Sequence, residues 1–404
     1  MKIGAFAKKN QVSIDTLRHY MSLGLLLPSK AKSQYAFDSR CQEAFNEVTH
    51  LKSLGFSLQE IKDIFVVNQL GKITSIQKEA CYKDVFKIKR DSVRAEIGKL
   101  EQKVALLEEE LQRLDALKDT KKFSLGLELQ WLGHLCCHHC GGPLILKEAL
   151  IDDNRVISGR LKCSCGTGYR VVDGIVCQEE LNTEGYPPID VQSYIKHTDE
   201  DYLLKVYKTL EWFFRNIPFE GLSKKLILEL GSGSGFFLRR IYDSLPEDAL
   251  YIAVDSNYEK LKALKETMEK ADSKKALIFI CTDFLCIPLK AASVDVVCDF
   301  TGTSNYSFDN KGFLLSLIQR YYKKDAELYG AYIVFKNFSH ESQIPPDFRP
   351  NFRKDCLEER IEQLGFVKHV EYLSNTVSKG GIYESYFKDD EKVAAYCFIG
   401  KRSG

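Results

Sequence analysis

The apolar positions fall into four regimes along the chain, each predicting a different kind of element. Residues 1–70 carry short helically spaced runs broken by turn residues. Ile3, Phe6 and Ala7 give a first helix its apolar face, Asn10-Gln11 makes a turn, and Ser13 is placed to cap a second helix with Thr16 in its first turn. Leu23-Gly24-Leu25-Leu26 closes that second helix, with Gly at its end. Two short helices around a tight turn predict a helix-turn-helix. Residues 74–118 then form one long helical pattern with almost no Gly or Pro. Val93, Ile97, Leu100, Val104, Leu107, Leu111 and Leu114 alternate spacings of four and three, a heptad seam that Phe86 extends backwards. Glu101, Lys103, Glu108, Glu109 and Arg113 supply its charged flank. About 45 helical residues span roughly 67 Å, more than a small domain buries, so the seam predicts a coiled coil between two copies of the chain. The alternative is one helix packed along its own chain's later domains.

The third regime, residues 132–178, holds Cys, Gly and short β-type runs, among them 143–146 and 169–172. After a Pro-Pro linker near Pro187, residues 198–404 alternate strands and helices. Strands are expected over 226–230, 251–255, 276–280 and 293–299, and a helix over 236–245. Later strands are expected over 331–335, 366–372 and 392–399, the last pair as an antiparallel hairpin around Gly380-Gly381.

Composition narrows the class. The 404 residues suffice for two to four domains, and 44% hydrophobic with 28% charged residues excludes a wholly disordered chain. No apolar run has the length of a membrane span, and the start MKIGAFAKKN lacks a signal peptide's pattern, so a cytoplasmic location is expected. The thirteen cysteines should then be largely reduced, and a tight cluster reads as metal binding before disulfide. Residues 1–72 hold ten Lys/Arg against six Asp/Glu although the whole chain is only +1, which makes nucleic acid the first candidate partner for that block, the alternative being a slightly basic solvated surface.

Two patterns carry chemistry. Cys137-x-x-Cys140 and Cys163-x-Cys165, each pair followed by Gly and separated by 22 residues, supply the paired thiolates of a tetrahedral structural Zn²⁺ site in a ribbon. Cys136, His138, His139 and Cys177 are spare potential ligands. Further on, Gly231-Ser-Gly233-Ser-Gly235 joins a strand to a helix, where backbone can approach a ligand closely, and Asp255 ends the next strand 20 residues later, suited to ribose hydroxyls. Asp299, Asn305 and Tyr306, at and after the end of the fourth strand, are placed by position alone on the side of a second substrate, the equal alternative being polar groups that cap the loop.

These motifs carry three resemblances. IGAFAKKNQVSIDTLRHYMSLGLLLPSK, then QYAFD and LKSLGFSLQEIKDIF, resembles the DNA-binding domain of the MerR family of transcriptional regulators over about 70 residues. The resemblance implies a winged helix-turn-helix homodimer on near-palindromic promoter DNA, acting by deforming the duplex. Ser13, Thr16, Arg18, His19, Tyr20, Lys30 and the wing tyrosine Tyr35 would serve the DNA, while Ala36 stands where the family usually has Arg. CCHHCGGPL with LKCSCGTGYRVVDGIV resembles the zinc ribbons found beside class I methyltransferases, including their Tyr169, Asp173, Gly174 and Ile175 run. ELGSGSG, Asp255 and Asp283-Phe284 resemble a class I S-adenosylmethionine-dependent methyltransferase over about 180 residues. That implies S-adenosylmethionine held by Glu229, Gly231, Gly233, Gly235, Asp255, Asp283 and Phe284.

The chain is thus expected to be multidomain. An all-α winged helix-turn-helix (1–72) and a long coiled-coil helix (73–120) precede a small β zinc ribbon (132–178) and an α/β Rossmann-like methyltransferase domain (195–404). The expected function is a MerR-type regulator whose C-terminal domain binds S-adenosylmethionine and methylates or senses a small molecule. The alternative is primarily a methyltransferase of a small metabolite, drug or nucleic acid whose DNA-binding domain controls its own gene.

Overall fold

Local chemistry sets the first elements. The Ser13 hydroxyl accepts the Thr16 N–H at 3.0 Å and Asp38 accepts that of Cys41 at 3.0 Å, starting two helices at the residues that can cap them. The computed structural model describes residues 1–31, 34–70, 75–116, 121–179 and 191–403; the linker expected near Pro187 lies outside the described residues. The chain forms two units, 1–118 and 119–404.

In the first unit α1 (Ile3–Lys9) and α2 (Ile14–Ser22) lead to the antiparallel pair β1 (Ser29–Ala31) and β2 (Gln34–Ala36), then to α3 (Ser39–Ser53), α4 (Leu58–Leu70) and α5 (Ser75–Asp115). Phe6, Leu17, Tyr20, Phe45, Val48, Leu51 and Ile61 form its core, against which Tyr82, Val85 and Phe86 at the start of α5 pack. Phe86 therefore does not belong to the free seam, because its ring lies edge-on to Phe56 at 5.4 Å. The rest of the seam is bare: Val93 is 39% and Leu107 64% exposed within this one chain.

The second unit is built on one continuous sheet. β3 (Leu127–Glu128), β4 (Ile145–Asp152), β5 (Arg155–Lys162), β6 (Gly168–Val172) and β7 (Ile175–Gln178) form the ribbon. Helices α6 (Val191–His197) and α7 (Glu200–Asn216) follow. The Rossmann-like part then runs β8 (Leu226–Leu230), α8 (Phe236–Ile241), β9 (Leu250–Asp255), α9 (Tyr258–Met268), β10 (Ala276–Cys281), β11 (Val294–Phe300), α10 (Gly302–Asp309) and α11 (Leu314–Leu317). It closes with β12 (Tyr322–Asn337), α12 (Lys354–Gln363), β13 (Phe366–Leu373) and β14 (Lys392–Arg402). The strand order is β13-β14-β12-β11-β8-β9-β10-β7-β6-β5-β3, with β4 on β5. β8 to β12 are parallel and buried on both faces, which explains apolar runs such as Leu226–Leu230.

Two features depart from the sequence pattern. The expected hairpin is an antiparallel pair, β13 on β14, but its connection is a long excursion in which Gly381 bridges Thr198. The ribbon is also not set apart from the sheet. β7 pairs parallel with β10, Val176 opposite Ile280 and Cys177 opposite Cys281, and thereby covers what would otherwise be an open edge. Ribbon side chains Leu135, Leu161, Tyr169 and Val176 share one core with β8–β12. Among the described residues, no helix is long and apolar enough to cross a membrane.

Candidate functional site

Strand order reverses at β8, whose neighbours are β9 and β11, and clefts form at the strand ends at such a point. The loop leaving β8 carries Gly231, Gly233 and Gly235, all at positive φ (69°, 51° and 78°), where a side chain is strained. At Gly235 a Cβ would also lie 2.2 Å from Leu264 Cδ1 on α9. Asp255, ending β9, holds this loop from the side. Its two oxygens accept the Gly233 N–H at 2.8 Å and the Asn257 N–H at 2.9 Å.

Glu229 lies beneath the loop, 1% exposed. Among the described residues its Oε2 has no hydrogen-bond partner, nor do the hydroxyls of Ser232, Ser234 and Tyr251. Burial pushes the Glu229 carboxyl up to about 7, helped by the nearby Asp255 charge and moderated by Ser232 and Tyr251. Between the ordinary glutamate value and about 7 the folded chain keeps a proton that the unfolded chain has lost, so rising pH removes stability across that window. Glu229→Gln should therefore gain stability over the parent on going from pH 5 to pH 8, by on the order of 2 kcal/mol. Thermal unfolding of both proteins at the two pH values tests this, and a constant gap between them would refute it.

A cavity of about 210 Å³ opens beside the loop. Glu229, Gly231, Gly233 and Asn305 line it, with Thr301, which holds a left-handed φ of 66° without being glycine. Gly235, Asp255, Asp283 and Phe284 lie around it rather than in its wall. Phe284 forms the neighbouring wall: its ring would meet a Cβ on Gly231 at 3.8 Å. The Asp283 carboxylate accepts the Leu285 N–H at 2.7 Å and so shapes that turn. Tyr306 packs edge-on against Phe284 at 6.4 Å, outside the cavity's wall. Asp299 is fully buried, its Oδ1 accepting the Thr303 N–H at 2.9 Å at the start of α10, and burial pushes it up to about 6. It thus holds the first turn of α10 through Oδ1, while among the described residues its Oδ2, like Oε2 of Glu229, has no hydrogen-bond partner.

Sequence reasoning did not find the opposite wall. Tyr194 on α6, Tyr202 on α7, and Tyr383, Glu384 and Tyr386 from the β13–β14 excursion face the same cavity. The signal was present as Gly380-Gly381-Ile-Tyr-Glu-Ser-Tyr, a close-approach turn followed by aromatics around an acid. It also missed Gln178 at the end of β7, whose Oε1 accepts from the Thr282 hydroxyl at 3.1 Å and the Asp283 N–H at 3.4 Å.

In the ribbon, the sulfurs of Cys137, Cys140, Cys163 and Cys165 all lie within 4.8 Å of one another. Cys137 to Cys165 is 3.6 Å and Cys140 to Cys163 is 3.3 Å, close to the ~3.8 Å that ~2.3 Å Zn–S bonds would impose. Of the spare ligands, His138 is bound through Nδ1 to the Tyr169 hydroxyl, and Cys177 is buried beside Cys281. On the first unit, Ser13, Arg18, His19, Lys30 and Tyr35 are exposed, Thr16 is half-buried, and Arg18 pairs with Asp15 at 3.1 Å. Tyr20 is 5% exposed, packs on Phe45, and its hydroxyl accepts from Lys52 at 3.3 Å, so its ring serves the core.

Comparison with known families agrees with both units. Residues 1–66 match the MerR HTH family of regulatory proteins, and residues 222–389 match a methyltransferase domain family. The chain therefore joins a MerR-family helix-turn-helix domain to a methyltransferase domain. Among solved structures it is similar to MccD protein at 14% identity and TM-score 0.37, over 48% of this chain and 96% of that one. It is also similar to phosphoethanolamine N-methyltransferase 2 of Haemonchus contortus, at 14% and 0.36, over 49% and 53%. A third is geranyl diphosphate C-methyltransferase of Streptomyces coelicolor A3(2), at 13% and 0.37, over 54% and 86%. The chain thus spans about half the length of the Haemonchus protein. Likenesses this distant say nothing about substrate. A comparison with curated protein sequences finds no match.

Proposed function

We propose that the protein is a homodimeric DNA-binding regulator whose C-terminal unit binds S-adenosylmethionine and transfers its methyl group to a small molecule. The observation that carries the cofactor reading is the glycine loop clamped by Asp255 over a buried Glu229 with an unpartnered oxygen. A buried carboxylate with one oxygen left unpaired is costly, and a cationic amino group on a ligand would relieve that cost. In this reading Glu229 meets the amino group, the loop glycines admit the backbone close to the ligand, Asp255 serves the ribose hydroxyls, and Phe284 covers the adenine beside Asp283. The bound cofactor supplies an activated methyl group on a sulfonium. The chain supplies positioning and exclusion of water.

Zinc fits the four thiols as a structural ion, since all four ligands come from the protein and no position is left open.

The dimer reading rests on the bare seam of α5. Leu100, Val104, Leu107 and Leu111 are all more than half exposed in one chain, a stripe that a second copy would cover. Leu100→Asp with Leu107→Asp should convert the dimer to a monomer in sedimentation and weaken promoter binding by about a hundredfold, since each head alone holds one half-site. A double variant that stays dimeric would refute the seam.

Calorimetric titration with S-adenosylmethionine and S-adenosylhomocysteine, followed by DNA binding with and without each, tests the whole reading. Micromolar binding that changes promoter affinity supports it; coupling requires that the ligand favour one of two dimer shapes. Transfer of labelled methyl from the cofactor into a cell extract supports turnover. Absence of transfer despite binding would leave a sensor, and unchanged promoter affinity in every ligand state would refute regulation through this site.

A further inference from the structure

The tyrosine wall of the cavity names a chemical class for the methyl acceptor. Tyr194, Tyr202, Tyr383 and Tyr386 line one side together with Glu384. The Tyr194 ring packs at a tilt against Phe236 at 5.1 Å and Tyr383 at 5.7 Å, and the hydroxyls of Tyr202 and Tyr386 are hydrogen-bonded at 2.6 Å. These contacts hold the rings in place before any ligand arrives.

Glu384 is 6% exposed. Its Oε2 accepts the Gly381 N–H at 2.9 Å and faces the Thr198 hydroxyl at 3.4 Å, and the Tyr194 hydroxyl lies against the same carboxylate. The turn that presents it depends on Gly381, where a Cβ would sit 2.2 Å from the His197 carbonyl oxygen. No ion pair to Glu384 forms among the described residues. The nearby cation, Lys205, is buried, has its Nζ 3.6 Å from the centre of the Tyr202 ring, and is pushed by burial down to about 7. Burial holds the Glu384 carboxyl above its ordinary value, and Lys205, Tyr194, Thr198 and the Gly381 N–H pull it back towards the charged form.

Charge complementarity separates this carboxylate from the cofactor's needs. Among the described residues the charged groups in the cavity wall are Glu229, Lys260 and Glu384. Glu229 lies on the strand that carries the glycine loop, and Lys260 lies in the first turn of the helix after Asp255. These two can answer an amino group and a carboxylate on the cofactor. Glu384 belongs to neither element, and the rings of Tyr194, Tyr202, Tyr383 and Tyr386 line the wall with it. A carboxylate walled by aromatic rings suits an organic cation, which gains from both the charge and the ring faces. An acidic or phosphorylated acceptor would be repelled by it. A soft metalloid acceptor finds no thiol there, since no cysteine lines this cavity among the described residues.

We propose that this chamber takes an alkylammonium acceptor, with Glu384 as the group that receives its proton; the step rests on the cofactor reading above. The ammonium N–H gives its proton to the Glu384 carboxylate, freeing the nitrogen lone pair. The nitrogen then bonds the methyl carbon as the methyl–sulfur bond breaks, and that electron pair stays on sulfur, leaving S-adenosylhomocysteine and a methylated ammonium. Glu384 releases its proton to solvent.

The test uses the full-length protein saturated with S-adenosylhomocysteine. Choline, which carries an unreactive quaternary ammonium, and its uncharged isostere 3,3-dimethylbutan-1-ol are titrated into it. Choline should bind at least tenfold more tightly than the isostere. Glu384→Gln should weaken choline at least tenfold and leave S-adenosylhomocysteine within twofold. Tyr383 lies at the partly exposed rim, so Tyr383→Ala provides a second variant that does not disturb the core; it should weaken choline severalfold, and Tyr383→Phe should restore it. Equal affinity for the two probes, no choline binding, or choline binding indifferent to both Glu384→Gln and Tyr383→Ala would overturn the proposal. If S-adenosylhomocysteine itself fails to bind, the cofactor reading falls, and the same pair of probes on the free protein still decides whether the chamber is a cation site.

Discussion

Asp255→Ala is expected to weaken S-adenosylmethionine binding by about a hundredfold or more while leaving the fold intact. The carboxylate accepts one N–H on each oxygen, from Gly233 and from Asn257. Hydrogen bonds to a charged group are worth about 1.5–3 kcal/mol each, and every ~1.4 kcal/mol is tenfold in affinity. Removing the carboxylate frees the middle of a loop whose three glycines already resist no deformation through side-chain packing. It also removes the acceptor proposed for the ribose. The sheet should survive, because Val254 and the rest of β9 are buried independently of this side chain. Asp255→Asn is the informative partner. It keeps the shape but replaces one accepting oxygen with a donor that faces an N–H, so it should lose nearly as much. Calorimetry on both variants, with thermal unfolding alongside, is the measurement. Binding within threefold of the parent in either would mean that Asp255 holds loop geometry without being needed for the ligand.

Cys163→Ser, or removal of metal by a chelator, should lower the unfolding midpoint by about 10 °C and weaken cofactor binding about tenfold. The first effect follows from losing a structural site in a short ribbon, where metal binding is itself folding free energy. The second follows from how the ribbon grips the cofactor side of the sheet. The Tyr169 hydroxyl donates to the Cys286 carbonyl at 3.0 Å, and the Cys136 N–H donates to that of Pro288 at 3.1 Å. Gln178 holds Thr282 and Asp283, and Arg320 joins the carbonyls of His138 and Leu285 at 2.9 and 3.4 Å. These bonds fix the turn that carries Phe284. Loosening the four-cysteine knot should therefore reach Phe284, the wall proposed for adenine, without touching it. Zinc content, thermal unfolding and cofactor affinity measured on one preparation test the chain of cause. A zinc-free protein with unchanged affinity would make the ribbon a separate stabilising element. Retained zinc in Cys163→Ser would move the ligand set elsewhere.

The residues read most easily from sequence were those whose role is local. Gly231, Gly233 and Gly235 are legible because positive φ demands glycine at each. Ser13 is legible because a cap bonds within its own first turn. The four cysteines announce themselves by paired spacing, and their sulfurs do meet. Asp299 and Tyr20 are less legible for the opposite reason: both are polar residues in a functional stretch, and only burial shows one bonded to the Thr303 N–H of α10 and the other packed in the core. The tyrosine wall could not be read as a site at all. Its members come from α6, α7 and the β13–β14 excursion, nearly 190 residues apart, and no spacing rule links Tyr194 to Glu384.

The amino-acid sequence by itself determined the order of parts: a helix-turn-helix with its wing, a long heptad helix, a cysteine ribbon, and a strand–glycine loop–helix start to an α/β unit. Period, capping residues and short-range spacing suffice for these because hydrogen bonds and side-chain stripes within one element repay locally. Only the tertiary structure decided that β7 closes the open edge at β10, that Phe86 is spent on its own core while the later seam stays bare, and that a glutamate from one end of the unit meets tyrosines from the other. Those outcomes depend on which buried faces are left unpaired once the elements meet. Long-range burial makes that choice, and no pattern within a single element records it.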